Sequence, residues 1–211
     1  DYRLTDLIDT ELLQRSTERF SDLTGIATSI IDHDDVLIAS AGWQTICTDF
    51  HHRCPATNQI CQMNYTRLKQ LVTKLPYATC ECLSGLTHYA AAIEIDGDHL
   101  GTVITGPIFL NNPDRQRFIQ QARQFGFDEE AYLQALTKVT VISPQQIEKN
   151  MRFVTDQTQV LARIGLERKQ RLEAEGIQAV EVNKKDSSFN SFGEIELRVE
   201  IHNAEKAKNI L

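Results

Sequence analysis

Two runs of strand-forming residues flank one tight turn, and that pairing limits what the chain can fold into. Tyr89-Ala90-Ala91-Ala92-Ile93-Glu94-Ile95 reads as a strand, and Leu100-Gly101-Thr102-Val103-Ile104-Thr105-Gly106 reads as its return. Asp96-Gly97-Asp98-His99 lies between them, and Asp-Gly readily takes the positive φ of a tight hairpin. A second hairpin is read upstream. Ile26 to Asp32 is β-branched, His33-Asp34-Asp35 supplies turn chemistry, and Val36 to Ala39 returns. Helical patterns surround both hairpins, so an antiparallel sheet with helices packed around it is the simplest architecture, in the mixed α/β (α+β) class.

The helices are placed by apolar spacing and caps. Leu4, Leu7, Ile8, Leu12 and Leu13 predict a helix over residues 1–20, capped by Thr5 or Asp6. Residues 43–61 have no clean period and read as loop and short helix, and 61–74 read as helix. Asn111-Asn112-Pro113-Asp114 starts a helix that runs to about Phe125, with Gly126 at its C-cap. Asp128 caps another over 129–137, and Val139 to Ile142 is short and extended. Ser143 then caps a long helix over 144–165 with Pro144 at its first position. Ile147, Met151, Val154, Thr158 and Leu161 recur at steps of four and three, a heptad-like seam that predicts a parallel homodimer.

Composition narrows the class of function. The 211 residues suggest one domain plus an extension. Residues 165–211 hold 17 charged side chains in 47 positions, against 34 in the preceding 164, so we divide the chain into a domain at 1–165 and a charged linker or dimerisation segment at 166–211. The net charge of −7 argues against a surface built to grip nucleic acid. No run approaches the roughly 18 apolar residues of a membrane helix, and the chain opens at Asp1 without a charged-then-apolar leader. A first residue other than Met suggests a fragment.

The five cysteines, Cys47, Cys54, Cys61, Cys80 and Cys82, fall within 36 positions. An odd, clustered set fits a reducing, cytoplasmic compartment and a local site better than a secreted disulfide scaffold. Three readings stand side by side. Thiolates are soft ligands for zinc or an iron–sulfur cluster, with His51 or His52 completing a mixed site. A thiol pair can switch through a disulfide. Free cysteines also simply pack as small apolar groups. Trp43, Phe50, Tyr65, Tyr77, Tyr89 and Phe109 are candidate pocket walls. No triad spacing, phosphate loop or cofactor fingerprint is present, so no enzyme is read here.

Several motifs, in order, carry a resemblance. Trp43-Gln44-Thr45-Ile46-Cys47-Thr48-Asp49-Phe50-His51 resembles the first cysteine segment of the PocR-type sensory domain. Cys61, Cys82-Leu83-Ser84-Gly85-Leu86, Gly97-Asp98-His99-Leu100-Gly101, Gln121-Ala122-Arg123 and Gly126-Phe127-Asp128-Glu129 are similar to later segments of the same family. The likeness covers roughly residues 5–165 and implies a PAS-like ligand-binding module of bacterial signalling proteins, thought to sense small hydrocarbon derivatives such as short diols. The chain departs from the family pattern at Ala92, at Pro107 after Gly106, and at His88. If these line the pocket, the ligand differs from the family's.

These readings combine into one expectation. The chain binds a small, largely uncharged metabolite, with Trp43, Phe50, Tyr89 and Phe109 as ligand-binding walls, and relays it through the long helix to an output domain in cis. The rival readings are a metal or redox sensor on Cys47, Cys61 and Cys82, and a dimerisation module without a ligand.

Overall fold

The computed structural model describes residues 2–75, 77–82 and 84–174, and beyond them only two short strand segments. In chain order the elements are a 3-10 turn at Leu4–Asp6, α1 at Thr10–Thr24, β1 at Thr28–Asp32, β2 at Leu37–Ala41 and a π-helical turn at Ile46–His51. Then come α2 at Pro55–Val72, β3 at Tyr77–Glu81, β4 at Thr87–Ile95 and β5 at Asp98–Ile108. The helices α3 (Arg115–Phe125), α4 (Glu129–Leu136) and α5 (Pro144–Ala174) complete the folded part. Beyond it, Val180–Glu181 and Leu197–Arg198 pair antiparallel. Most of the charged segment read at 166–211 lies outside the described residues.

β1 to β5 form one antiparallel sheet in the order β2-β1-β5-β4-β3, the expected PAS-like α/β architecture with a long C-terminal helix. The Asp96-Gly97 turn joins β4 to β5 with both residues at positive φ, 54° and 91°. Both faces of the sheet are covered, which is why its central strands read as nearly continuous apolar runs. Alternate residues serve different layers. Tyr89, Ala91, Ile93 and Ile95 join a core with residues of α1 and α5, while Ala90 and Ala92 join another with Leu68 and Val72 of α2. A third core lies at one end of the sheet, between the π-helical turn, α3 and α4.

The first helix is shorter than its apolar spacing predicts. The Asp9 carboxylate accepts the backbone N–H groups of Glu11 and Leu12, at 2.9 and 3.0 Å, and so caps α1 at Thr10. Leu4, Leu7 and Ile8 are buried from the separate 3-10 turn and the segment after it. α2 starts six residues earlier than expected because Pro55 occupies its first turn. β3 has no counterpart in the sequence reading; as an edge strand it alternates exposed and buried residues over only five positions. The free edge of β2 is capped by a side chain. The Gln14 amide donates to the Ser40 carbonyl and accepts from the Ser40 N–H, both at 2.9 Å.

α5 runs nine residues past 165, through the place where the composition changes. Its heptad-like seam is spent inside the domain. Ile147, Met151, Val154 and Thr158 are at most 4% exposed and pack against the sheet, so these residues do not offer the parallel dimer surface that their spacing suggests.

Candidate functional site

The third core is also where the chain buries polar chemistry. The π-helical turn packs Phe50 beside two buried side chains, Cys47 and His51. Such turns widen the helix locally and recur at functional sites. Thr57 in the first turns of α2 fixes it, its hydroxyl donating to the His51 carbonyl at 2.7 Å. One helical face of α2 carries Thr57, Asn64, Leu68 and Val72 inward, with Cys61 half-buried on the same side. From the sheet comes His88, which opposes Cys80 in register; its Nδ1 lies 3.5 Å from Asn64 Nδ2. The turn between β3 and β4 supplies Cys82 and Ser84, and its backbone closes through Cys82 N–H to the Leu86 carbonyl at 2.8 Å. Gln121 of α3 and Tyr132 of α4 complete the group.

A short hydrogen-bonded chain sets the tautomer of His51. The Tyr132 hydroxyl donates to Gln121 Oε1, and Gln121 Nε2 donates to the Ser84 carbonyl at 3.4 Å. With its proton given to Gln121, the Tyr132 oxygen accepts from His51 Nε2, 2.8 Å away. His51 Nδ1 is then a bare lone pair. Among the described residues four buried side-chain polar atoms have no hydrogen-bond partner, and three are here: His51 Nδ1, Asn64 Oδ1 and Ser84 Oγ. Each costs on the order of 1–3 kcal/mol when left unmet, and three of the four fall within this group of residues.

The site is electrically neutral. Burial pulls His51 down to about 4, helped by the nearby His52 and His88. His88 is likewise pulled down to about 4 by burial, against the raising effect of the Leu86 backbone. Burial pushes Cys47 up to about 12 and Cys61 to about 11, and the thiols reinforce one another: Cys61 and Cys82 act on Cys47, and Cys82 acts on Cys61. Cys82 is raised too, mainly by burial, and Tyr132 is raised by burial and then by all three thiols. Near pH 7 the site therefore holds uncharged imidazoles, thiols and a phenol. Cys54 differs. At the N-cap of α2 it is lowered by hydrogen bonds from Thr57 and Ala56.

The structure thus brings Cys47, Cys61 and Cys82 together, with His51 beside them. Of the expected aromatic walls, Phe50 packs edge-on to Tyr132 at 5.1 Å and Phe109 edge-on to Phe118 at 5.6 Å, both within this third core. Tyr89 points to the opposite face of the sheet, into the core with α1 and α5. Trp43 is exposed, its indole N–H donating to Ser40 Oγ at 3.2 Å. Tyr65 and Tyr77 are also exposed. Among the described residues no group of three His, Cys, Asp or Glu side chains is placed to hold a metal ion.

The sequence reading passed over Tyr132 and Asn64, and named Gln121 and Ser84 only within the family-like motifs. The available signal was a polar residue on an otherwise apolar helix face: Asn64 between Cys61 and Leu68, and Gln121 between Phe118 and Ala122. His88, noted as a departure from the family pattern, does line the site.

A family model, the sensory domain found in PocR, matches residues 6–166. No curated protein and no solved structure matches the chain.

Proposed function

The chain belongs to the PocR sensory-domain family, and from that premise we propose that it binds a small, uncharged, hydroxyl-bearing metabolite such as a short diol at the neutral site around His51. A sensory family accords with a binding rather than a catalytic role. The observation that carries the proposal is the set of unmet buried atoms. His51 Nδ1 and Asn64 Oδ1 accept, and Ser84 Oγ both donates and accepts. A neutral ligand with two hydroxyls answers that set, whereas a charged one would meet no counter-ion there.

The backbone supports a relay through α5. Phe109, in the same core as Cys47, Cys82 and Tyr132, bonds on both sides to the segment before α5: its N–H donates to the Thr140 carbonyl at 2.9 Å and its carbonyl accepts from Ile142 at 2.8 Å. α5 begins two residues later. Binding shifts the population of two arrangements at this junction, and α5 carries the shift towards an output domain in cis, in the cytoplasm.

The test is native mass spectrometry joined to thermal unfolding with propane-1,2-diol and propane-1,3-diol. A ligand that binds only the folded chain raises Tm by mass action. The expected result is a concentration-dependent rise that Asn64→Leu abolishes while its unliganded fold is retained. Absence of any rise up to 100-fold above physiological metabolite levels, or a rise unchanged in Asn64→Leu, overturns the proposal. A retained mass that disappears with a chelator transfers the function to zinc or an iron–sulfur cluster on Cys47, Cys61 and Cys82. Loss of two protons between these thiols on mild oxidation transfers it to a redox switch.

A further inference from the structure

With its inner seam spent on the sheet, α5 carries a second apolar stripe on another face. Phe153, Val160 and Ile164 are 59%, 56% and 44% exposed, with Gln157 between them. The spacings of four, three and four put all four residues on one helical face. α1 lies antiparallel alongside. Phe20 stacks on Phe153 at 6.4 Å, and the Ser16 hydroxyl donates to Gln157 Oε1 at 3.3 Å. Leu12 and Leu23 of α1 are also exposed. The stripe is bounded at both ends by polar positions, Asn150 before it and Glu167 after it.

From this arrangement we propose that a second copy of the chain covers the stripe, with the two α5 helices antiparallel about a two-fold axis near residues 158–159. In that register Phe153 packs on Ile164 of the second copy and Val160 on Gln157, and the symmetry repeats both contacts. The same register sets the flanking Asp156 of each copy against Arg163 of the other, giving two opposite-charge pairs. Arg163 is held at this edge by Asp96, 3.0 Å away. The parallel register fails on charge. It sets Arg163 against Arg168 of the second copy, and Glu167 and Arg171 each against their own equivalents. It also needs an apolar stripe that continues along the helix, and this one stops after Ile164. The self-complementarity of the stripe under one two-fold operation identifies a second copy, rather than another protein, as its occupant.

Sedimentation equilibrium of the whole 211-residue chain tests this. Wild type is expected to dimerise. Val160→Glu, at an exposed position, is expected to give a monomer with unchanged circular dichroism and Tm at low concentration. Asp156→Lys replaces attraction by repulsion at both pairs and is expected to weaken dimerisation about tenfold, the effect of roughly 1.4 kcal/mol over two surface pairs. Asp156→Lys combined with Arg163→Glu restores the opposite charges and is expected to recover most of that loss. A wild-type chain that stays monomeric at 0.5 mM overturns the proposal. So does a dimer indifferent to Val160→Glu, or a charge-swapped double variant no tighter than Asp156→Lys alone. None of these outcomes depends on the ligand site.

Discussion

At the scale of single residues the site is governed by desolvation, and pH reads it out directly. His51 and His88 are held near 4 in the fold, below the ordinary 6.5, so between those values the unfolded chain takes protons that the folded chain refuses. Stability therefore falls as pH drops through that window. Cys47 and Cys61 are held near 12 and 11, above the ordinary 9.0, so above pH 9 the unfolded chain sheds protons that the folded one keeps. Stability then falls as pH rises. The expected profile is a plateau between about pH 6.5 and 9, with a loss on the order of 2 kcal/mol for each fully buried group at the far side of its window. Urea unfolding at pH 4.5, 7.5 and 10 measures it. A midpoint unchanged between 7.5 and 4.5 would show that His51 and His88 are solvated. The three thiols were legible in the sequence because cysteine clustering is visible in one dimension. The orphaned lone pair of His51 was not, because it depends on Tyr132, 81 positions away.

At the scale of elements, local chemistry fixed where most helices and turns begin and end. Asp114 and Asp128 cap α3 and α4 through backbone N–H groups, and Gly126 ends α3 at φ 70°, as their sequence positions predict. Packing decided the exceptions. At Gly165 in α5 an added Cβ would lie 1.8 Å from the Leu7 carbonyl oxygen. Glycine there costs helix propensity of about 1 kcal/mol relative to alanine, so on propensity alone Gly165→Ala should stabilise α5. The clash is with backbone and cannot be relieved by a rotamer change, at a cost of about 3 kcal/mol. The clash wins, and Gly165→Ala is expected to lose about 2 kcal/mol, a Tm drop of about 4–8 °C for a domain of this size. Differential scanning calorimetry decides the sign, and a rise in Tm would mean that the 3-10 turn and its following segment are not seated on α5. α1 shows the same competition. Five leucines and isoleucines at helical spacing suggested one helix, but the Asp9 carboxylate split them into two elements.

At the scale of the whole molecule, the two faces of the sheet divide the work. The neutral site lies on the side of α2, and α5 lies on the other; Phe109, in the core of the site, bonds through its backbone to the segment that leads into α5. If a diol binds at the site, amide exchange over residues 140–147 is expected to slow in the wild type and to stay unchanged in Phe109→Ala at equal occupancy. Hydrogen-exchange mass spectrometry reads this, and equal slowing in both chains would place the relay elsewhere. The sequence by itself determined the hairpins, the caps of α3 and α4, the sheet class, the family likeness and the clustering of cysteines. All of these rest on interactions between residues near one another in the chain, or on pattern alone. Tertiary structure decided which face each pattern serves. A heptad-like spacing specifies an apolar stripe but not whether a sheet or a second helix covers it. Here the sheet took Ile147, Met151, Val154 and Thr158 and left Phe153, Val160 and Ile164 outside. It also decided that Tyr89 and His88, neighbours in sequence, serve opposite layers, because successive strand residues point to opposite faces and only the packed helices say which face holds the site.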